Sequence, residues 1–193
     1  MKQRKTGLSF YEPKKRVNPT VFSEIIICAL LMAIAVFVAV VLVYFYGMSN
    51  YVVGSSMEPT LYNGQKILVN RFAYVISKPK VGDIVVFLPH GNEKSHYYVK
   101  RIVAGPGDSV QIIEGRLYVN GVLSETITKE MEYAGIAENM LTMQKGQYFC
   151  VGDNPADGED SRQANIGPVD KKDIVGRAWL RMKHLNIKMG LVK

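Results

Sequence analysis

The feature that most constrains this chain is a run of 22 residues, Ile25 to Tyr46, without a charged residue, a glycine or a proline. At about 1.5 Å of rise per residue the run would form a helix of about 33 Å, long enough to cross the hydrocarbon core of a bilayer. A cleavable leader normally has a shorter apolar segment that ends in small residues, whereas this run ends in Tyr44-Phe45-Tyr46, the kind of aromatic residue enriched at membrane interfaces. The sequence therefore predicts a retained transmembrane helix over residues 25–46.

The flanks of this run predict its orientation. Residues 1–24 carry six basic and two acidic side chains, and short flanks rich in lysine and arginine stay in the cytoplasm. We therefore expect a basic cytoplasmic tail over residues 1–24, a single pass through the cell membrane, and an extracytoplasmic domain over residues 47–193.

The net charge of +7 is concentrated in two places. The tail contributes +4, and Arg177 to Lys193 carries five basic residues and no acidic one. Because the basic residues form no single broad patch, we expect no nucleic-acid partner. Apolar side chains such as Trp179 and Leu185 alternate with the cations near the end of the chain. This segment either lies against anionic lipid headgroups or packs on the domain as a last strand or helix.

Seven short runs after the membrane segment have the composition of strands, and glycine and proline separate them. These runs are 66–70, 84–88, 97–103, 109–113, 116–119, 147–151 and 174–181. No helical pattern of 10 to 15 residues lies between them, which favours an antiparallel or mixed β-sheet. The predicted fold class is therefore mainly β, with one N-terminal transmembrane helix.

Two turns and one insertion are predicted within this β domain. Glu114-Gly115-Arg116 and Asn120-Gly121 are predicted hairpin turns, and the second is a strong hairpin signal. Residues 124–146 are more polar and irregular, and we interpret them as a variable insertion. About 147 residues are enough for one domain with a sizeable core.

Cysteine and histidine give no sign of a metal site. Cys28 lies in the apolar run and Cys150 in the β domain, so a disulfide between them is not expected. His90, His96 and His184 are scattered, and no cysteine and histidine cluster has metal-ligand spacing. We therefore predict no metal site.

Ser56 is a candidate nucleophile because of its position. Pro59, three residues later, favours a loop or turn around the serine. Ten residues separate Ser56 from the end of the apolar run, which keeps it within about 35 Å of the bilayer. A substrate of this serine is therefore expected to be presented at the membrane.

Lys100 is the candidate base. In a strand, Lys100 shares a face with Tyr98 and Ile102, whereas Arg101 shares the other face with Val99. If Lys100 is the inward cation, burial lowers its pKa and makes it a neutral general base for Ser56. If its stem instead extends to water, it is an ordinary surface lysine. In the first case the Ser56 N–H would donate to the oxyanion of the transition state.

Four motifs occur in order behind the apolar run. They are Ser56-Met57-Glu58-Pro59-Thr60-Leu61, Gly82-Asp83-Ile84-Val85-Val86-Phe87, Tyr98-Val99-Lys100-Arg101 with Pro106-Gly107-Asp108, and Gly152-Asp153-Asn154 with Asp160-Ser161-Arg162. In this order the chain resembles the type I signal peptidases of bacteria, in the single-span form typical of Gram-positive organisms. The resemblance covers nearly the whole chain from the membrane segment onward.

The resemblance implies a serine endopeptidase that removes N-terminal signal peptides from exported preproteins at the outer surface of the membrane. Ser56 would be the nucleophile and Lys100 the general base, without a metal or cofactor. Substrates would carry small residues one and three positions before the scissile bond. The oxyanion hole would use the Ser56 backbone N–H and the neighbourhood of Gly54. The supporting residues would be Met57, Asp153, Asp160, Ser161 and Arg162, with Asp160 and Arg162 as an ion pair or, alternatively, as parts of a solvated turn.

The chain departs from the family pattern at three places. Gly54 stands where some double-span relatives carry a serine whose hydroxyl helps the oxyanion hole. Gly158 replaces a serine that hydrogen-bonds the lysine in those relatives. Ala104-Gly105 replaces the usual glycine followed by an apolar residue. The second oxyanion donor and the group that orients Lys100 are therefore open.

Three other functions compete with this interpretation. A self-cleaving repressor domain shares a serine and lysine core, but the apolar run and the lack of a DNA-binding element disfavour it. A catalytically silent, membrane-anchored binding module would be free to lose Ser56 or Lys100, and both are present. A serine, histidine and aspartate hydrolase would use His96, which has the same strand parity as Lys100.

Overall fold

The apolar run forms one long helix, α1 (Pro19–Tyr46), in a computed structural model that describes residues 19–92, 94–156, 159–185 and 187–192. Within these residues, α1 is the helix long and apolar enough to cross a membrane. It ends at Gly47, whose N–H donates to the carbonyl oxygen of Val43 at 2.8 Å. A side chain at position 47 would overlap that oxygen, so glycine permits the tight turn out of the helix.

The described residues divide into two compact units, one that ends at Val41 and one that begins at Leu42. In the second unit, aromatic residues at the end of α1 pack on the β domain. The Phe45 and Phe72 rings are 5.0 Å apart and those of Tyr46 and Trp179 are 6.4 Å apart, both edge to face. Pairs of this geometry contribute about 1 kcal/mol beyond their buried area. The chain therefore enters the first strand from a fixed position.

The described part of the second unit is built from twelve strands and one short helix, α2 (Ala73–Ile76). The strands are β1 (Met48–Tyr51), β2 (Lys66–Asn70), β3 (Ile84–Phe87), β4 (Tyr98–Ala104), β5 (Ser109–Ile113), β6 (Arg116–Val119), β7 (Val122–Leu123), β8 (Leu141–Thr142), β9 (Gln147–Val151), β10 (Val169–Asp170), β11 (Ile174–Arg181) and β12 (Gly190–Leu191). Three turns of 3₁₀ helix occur at Pro89–Gly91, Gly135–Glu138 and Lys171–Asp173.

Two antiparallel sheets contain these strands. The larger has the order β1-β2-β11-β3-β4-β9-β10, with β12 beside β11, and the smaller has the order β7-β6-β5-β8. β11 comes late in the chain but pairs with both β2 and β3. The predicted class, mainly β with one N-terminal apolar helix, is confirmed.

Five of the seven predicted strand runs match a strand to the residue, β3 ends one residue earlier than predicted, and β4 begins and ends one residue later. The two predicted hairpin turns are also confirmed. Glu114 and Gly115 have φ of 49° and 72°, and Asn120 and Gly121 have φ of 53° and 76°. Positive φ at both central residues is the geometry of a type I′ turn, which asparagine and glycine favour.

Several predictions about the ends of the chain and the domain boundaries stay open. Residues 1–18 of the predicted tail and Gly158 lie outside the described residues. The boundaries at residues 24 and 46 stay predictions, as does the assignment of residues 124–146 as a variable insertion. That segment contains β8, and its buried residues Ile127 and Met131 belong to an apolar cluster. For the basic C-terminal segment, packing as a strand is confirmed as far as Arg181.

Candidate active site

Ser56 lies in the long connection between β1 and β2. Two backbone hydrogen bonds close the base of this loop: Val52 N–H donates to Gln65 O at 3.0 Å, and Gly64 N–H donates to Val52 O at 2.8 Å. The next residue, Met57, is fully buried in an apolar cluster. Burial of Met57 ties the backbone at Ser56 to the core, which is the supporting position expected for it.

Gly54 shapes the loop on the other side of Ser56. Its φ of +81° is a conformation that residues with a side chain rarely adopt. Its N–H donates to Asn63 Oδ1 at 3.0 Å. The Gly54 N–H is therefore hydrogen-bonded within the loop.

Lys100 lies on β4 opposite Val85 of β3, and it reaches the Ser56 loop. Its side chain is almost completely buried, with 3% of the residue exposed, and 5% of Ser56 is exposed. The Lys100 Nζ and the Ser56 Oγ are 2.7 Å apart and hydrogen-bonded. Of the two possibilities left open by the sequence, the inward orientation of Lys100 is the one observed.

Arg101, on the opposite face of β4, is held by Asp153. Arg101 Nε and Nη2 donate to the two oxygens of Asp153, both at 2.7 Å, and Nη1 donates to Gly82 O at 2.8 Å. The hydroxyl of Thr60 donates to Asp153 Oδ2 at 2.5 Å. Asp153 therefore links β4 to the loop that carries Ser56.

The segment after β9 also meets the Ser56 loop. Asn154 N–H donates to Ser56 O at 2.8 Å. A Cβ atom at Gly152 would overlap the same oxygen. Glycine is therefore required where the two backbones cross, because any larger residue would push Ser56 away.

Asp160 and Arg162 form the expected ion pair. Both residues are fully buried, and Arg162 Nε and Nη2 donate to the two Asp160 oxygens at 2.8 Å each. Arg162 also donates to Tyr133 O at 3.1 Å and Pro155 O at 2.8 Å. The alternative of a solvated turn is wrong. Asp160 in turn accepts a hydrogen bond from Gly152 N–H at 3.4 Å, which connects the pair to the crossing beside Ser56.

Ser161 and Cys150 lie behind Lys100. The buried Ser161 hydroxyl accepts from Cys150 N–H at 3.0 Å. Burial raises the pKa of the Cys150 thiol, the nearby Asp160 carboxylate adds to the rise, and Lys100 opposes it. The thiol therefore stays protonated at neutral pH and is a poor nucleophile.

A small cleft opens onto Ser56 and Lys100. About 70 Å³ of it admits water-sized groups. Its lining consists of Val53, Gly54, Ser56, His96, Tyr97, Tyr98, Val99, Lys100 and Glu159. The His96 ring stacks on the Tyr98 ring with centroids 4.3 Å apart. His96 therefore lies in the same cleft as Ser56, while the Ser56 hydroxyl contacts Lys100.

Among the described residues, no group of three or more histidine, cysteine, aspartate or glutamate side chains has the geometry of a metal site. Separately, the 2.7 Å contact between the Lys100 amine and the Ser56 hydroxyl is short enough for a proton to pass between these two groups.

Sequence reasoning missed the structural roles of Gly152, Asn154, Thr60 and Arg101. Gly152 and Asn154 stand within a motif that was recognised, but no local pattern shows what they touch. Asn154 and Ser55 are 99 positions apart in the chain. Contacts of this kind follow from the pairing of β4 with β9 and are not visible in periodicity.

The chain is similar to known proteins over most of its length. The family model described as "Signal peptidase, peptidase S26" matches residues 25–183. Signal peptidase I P of Bacillus subtilis subsp. natto is 36% identical over 155 residues, covering 74% of this chain and 82% of that protein. Signal peptidase I of Bacillus licheniformis is 37% identical over 153 residues, covering 74% and 80%.

Among solved structures, the crystal structure of a signal peptidase I from Enterococcus faecalis V583 is 27% identical, with a TM-score of 0.41. The match covers 52% of this chain and 97% of that one. The family model spans most of the sequence, and the Bacillus proteins are more than one third identical over about three quarters of it. The chain therefore belongs to the signal peptidase family, peptidase S26.

Proposed function

We propose that this chain is a membrane-anchored serine endopeptidase that removes signal peptides from exported preproteins, with Ser56 as nucleophile and Lys100 as general base. The observation that carries the residue assignment is the 2.7 Å contact between two buried groups, Lys100 Nζ and Ser56 Oγ. Membership of the signal peptidase family carries the substrate class. Activation of a hydroxyl by a neighbouring base is the general requirement of nucleophilic catalysis by serine.

In the first half of the reaction, the neutral Lys100 amine accepts the Ser56 hydroxyl proton as Oγ attacks the carbonyl carbon of the scissile bond. A tetrahedral oxyanion forms. When the carbon–nitrogen bond breaks, the Lys100 ammonium returns the proton to the leaving amine, which is the new N-terminus of the mature protein. The signal peptide is left as an ester on Ser56.

In the second half, a water molecule attacks the ester carbonyl and gives a proton to Lys100. The second tetrahedral intermediate collapses, the bond to Oγ breaks, and Lys100 returns the proton to Oγ. The signal peptide leaves with a free carboxyl group. Lys100 thus accepts one proton and returns one proton in each half of the reaction. Burial of Lys100 supports this role, because a low-polarity environment disfavours the ammonium form.

The Ser56 backbone N–H is the proposed oxyanion donor. No hydrogen-bond acceptor for it lies among the described residues. Gly54 has no hydroxyl, and its N–H is bonded to Asn63. A second donor, if the mechanism uses one, is therefore not the Gly54 amide in the geometry described. Removing one such donor from a serine protease typically costs about 10² to 10³ in kcat.

The small cleft supports a preference for small residues at the positions one and three before the scissile bond. Its polar walls and limited volume leave little room for large apolar side chains. The proposed preference is tested by replacing the alanine one position before the cleavage site of a preprotein with leucine or phenylalanine, which is expected to abolish cleavage.

Two features support the proposed placement in the cell membrane. The tail before α1 is basic, which favours a cytoplasmic N-terminus and an extracytoplasmic catalytic domain. Near the C-terminus, Leu185, Met189 and Leu191 are exposed among basic residues and are proposed to contact lipid. Orientation is tested by adding one cysteine at a time to a Cys28→Ser background, in which the remaining Cys150 is fully buried. In intact cells an impermeant maleimide is expected to label Glu125→Cys and to leave Ser9→Cys unlabelled until the cells are lysed.

The central experiment incubates the detergent-solubilised protein with a preprotein that carries an Ala-X-Ala cleavage site. We expect cleavage by the wild type and none by Ser56→Ala or Lys100→Met. His96→Ala should cleave. All variants are checked for folding by circular dichroism and thermal unfolding.

Three outcomes would contradict parts of the proposal. Cleavage that survives Lys100→Met would remove Lys100 as the base. Loss of cleavage in a folded His96→Ala protein would favour the histidine-based alternative in the same cleft. No cleavage by the wild type, with its fold intact, would favour the catalytically silent binding module.

A further inference from the structure

Both peptide groups that flank Ser56 are bonded to the same residue, Asn154. Its backbone N–H donates to Ser56 O at 2.8 Å, which belongs to the peptide group after Ser56. Its side-chain Nδ2 donates to Ser55 O at 3.4 Å, which belongs to the peptide group before Ser56. Asn154 therefore holds the nucleophile from both sides.

The second contact bears on the oxyanion. The peptide group is planar and trans, so Ser55 C=O and Ser56 N–H are rigidly joined and point in opposite directions. A donor that fixes Ser55 O therefore also fixes the direction of Ser56 N–H. Glu58 N–H donates to the same oxygen at 3.0 Å. Two donors on the carbonyl also polarise the peptide group, which strengthens its N–H as a donor.

Lys129 sets the orientation of the Asn154 amide. Lys129 Nζ donates to Asn154 Oδ1 at 3.1 Å. A lysine ammonium donates and cannot accept, so it selects the amide oxygen and leaves Nδ2 facing Ser55 O. Lys129 belongs to residues 124–146, the segment interpreted above as a variable insertion.

The chain on the other side of Asn154 is also fixed. Pro155 O accepts from Arg162 Nη2 at 2.8 Å, and Arg162 is fully buried against Asp160. Gly152, two residues earlier, leaves room for Ser56 O. The backbone is thus held on both sides of Asn154, at Gly152 and at Pro155. Asn154 can therefore hold Ser56 in a defined position.

We propose that Asn154 is a positioning residue: its amide directs the Ser56 N–H toward the oxyanion, and Lys129 orients that amide. The inference rests on the proposed role of Ser56. It gives residues 124–146 a part in catalysis and adds to the reaction a residue that touches neither the scissile bond nor the general base.

The test is Asn154→Asp. Aspartate has nearly the same shape and keeps the backbone N–H and an oxygen for Lys129, but it has no donor for Ser55 O. We expect kcat to fall about tenfold to a hundredfold, less than the loss of an oxyanion donor itself because the Ser56 N–H is misdirected and not removed. KM and the midpoint of thermal unfolding should be unchanged. The matched control is Asn165→Asp, the same change in charge at an exposed residue, which should cleave like the wild type.

A pair of ligands separates positioning from structural damage. A peptide aldehyde, which forms an oxyanion adduct with Ser56, should bind Asn154→Asp more weakly by the same factor as the fall in kcat/KM. An uncleavable peptide with proline after the scissile position should bind both proteins equally. Equal weakening of both ligands, or a rise in KM with kcat unchanged, would overturn the proposal.

Substitutions of Lys129 test whether this residue orients the Asn154 amide, and a smaller effect is expected from them. Lys129→Met should lower kcat about twofold to fivefold by the same logic, and Lys129→Arg, which retains the donor, should restore most of it. An unchanged kcat in Lys129→Met would remove Lys129 from the proposal.

Amide hydrogen exchange of the peptide that contains residues 54–58 measures the order of the Ser56 loop without relying on cleavage. We expect faster exchange there in Asn154→Asp than in the wild type and no change in Asn165→Asp. If exchange and kcat are both unchanged, the inference is wrong while the proposed function stands. If exchange is faster but Ser56→Ala still cleaves, Asn154 orders the loop and the proposed nucleophile is wrong, so its part in catalysis is overturned with it.

Discussion

Lys100 and Arg101 are consecutive residues of β4, yet they lie on opposite faces of the large sheet in opposite surroundings. The Lys100 amine contacts the hydroxyl of Ser56 at 2.7 Å. The Arg101 guanidinium binds both oxygens of Asp153, and both of those side chains are about nine-tenths buried. One strand thus presents an amine hydrogen-bonded to a hydroxyl on one face and a buried ion pair on the other.

The difference follows from the chemistry of the two cations. A guanidinium stays charged in proteins and matches a carboxylate with two parallel hydrogen bonds, whereas a lysine amine loses its proton readily when buried. Arginine suits the face where charge must be balanced. Lysine suits the face where, in the proposed mechanism, a proton must be taken and returned. We therefore expect substitutions of Lys100 mainly to lower activity and substitutions of Arg101 mainly to lower stability.

The largest effect is expected for Lys100→Arg, which keeps a positive charge beside Ser56 but cannot supply a neutral base. We expect kcat to fall by at least about 10³-fold, as for loss of a general base. The measurement is single-turnover cleavage of a preprotein, with Lys100→Met as the uncharged comparison. If Lys100→Arg retained activity that Lys100→Met lacked, charge rather than proton transfer would be the function of this residue.

On the other face, Arg101→Met should destabilise the fold more than it harms the chemistry. It leaves the Asp153 carboxylate largely buried without its partner, which costs about 3 kcal/mol of unfolding free energy. Urea denaturation measures this cost. Adding Asp153→Asn removes the stranded charge, so the double variant should recover part of the loss. A double variant less stable than either single one would show that the pair is not the source of the effect.

The segment after β9 crosses the Ser56 loop at Gly152, and Gly152→Ala tests whether this close approach matters. The added methyl overlaps Ser56 O, so we expect a loss of about 2 kcal/mol from overpacking together with lower kcat. Gly105→Ala is the matched control, because a Cβ atom there meets its nearest neighbour at 3.8 Å. Equal effects of the two substitutions would mean that close approach at position 152 does not matter.

The smallest effect concerns Cys150, which lies opposite Ile102 and so on the Lys100 face. Burial raises the pKa of its thiol above that of the unfolded chain. Above about pH 9 the unfolded thiol has lost its proton while the folded one keeps it, so stability falls as pH rises, by at most about 1.4 kcal/mol per pH unit. Urea denaturation from pH 8 to 10 measures this slope. Cys150→Ala should show a slope shallower by that amount, and an identical slope would mean that the thiol ionises freely in the folded state.

The seven predicted strands have four to eight residues and were predictable because their composition and the turn residues between them mark them. Alternation also separated Lys100 from Arg101, but it did not say which of the two faces Ser56. That depends on the pairing of β4 with β3 and β9, and Ser56 is 44 positions away. Strands of two residues, such as β7 and β8, are too short for their pattern to be seen, and β1, with Ser49 and Asn50 among its four residues, lacks an apolar strand composition.

The resemblance to type I signal peptidases, drawn from four motifs, is confirmed by the family comparison. The ion pair between Asp160 and Arg162 was also predicted. Its complete burial was not, because residues of the 124–146 segment cover it and sequence patterns do not record which loop covers which. The catalytic roles of Ser56 and Lys100 stay predictions.

The position of β11 determines when the site can exist. β11 is made after nearly all other strands, yet it lies between β2, which follows the Ser56 loop, and β3, which pairs with the strand of Lys100. Until residues 174–181 have been synthesised, no continuous sheet joins the two. A chain that lacks β11 therefore carries the Ser56 loop and the strand of Lys100 on separate pieces of sheet, so the contact between the proposed nucleophile and base depends on one of the last strands to be made.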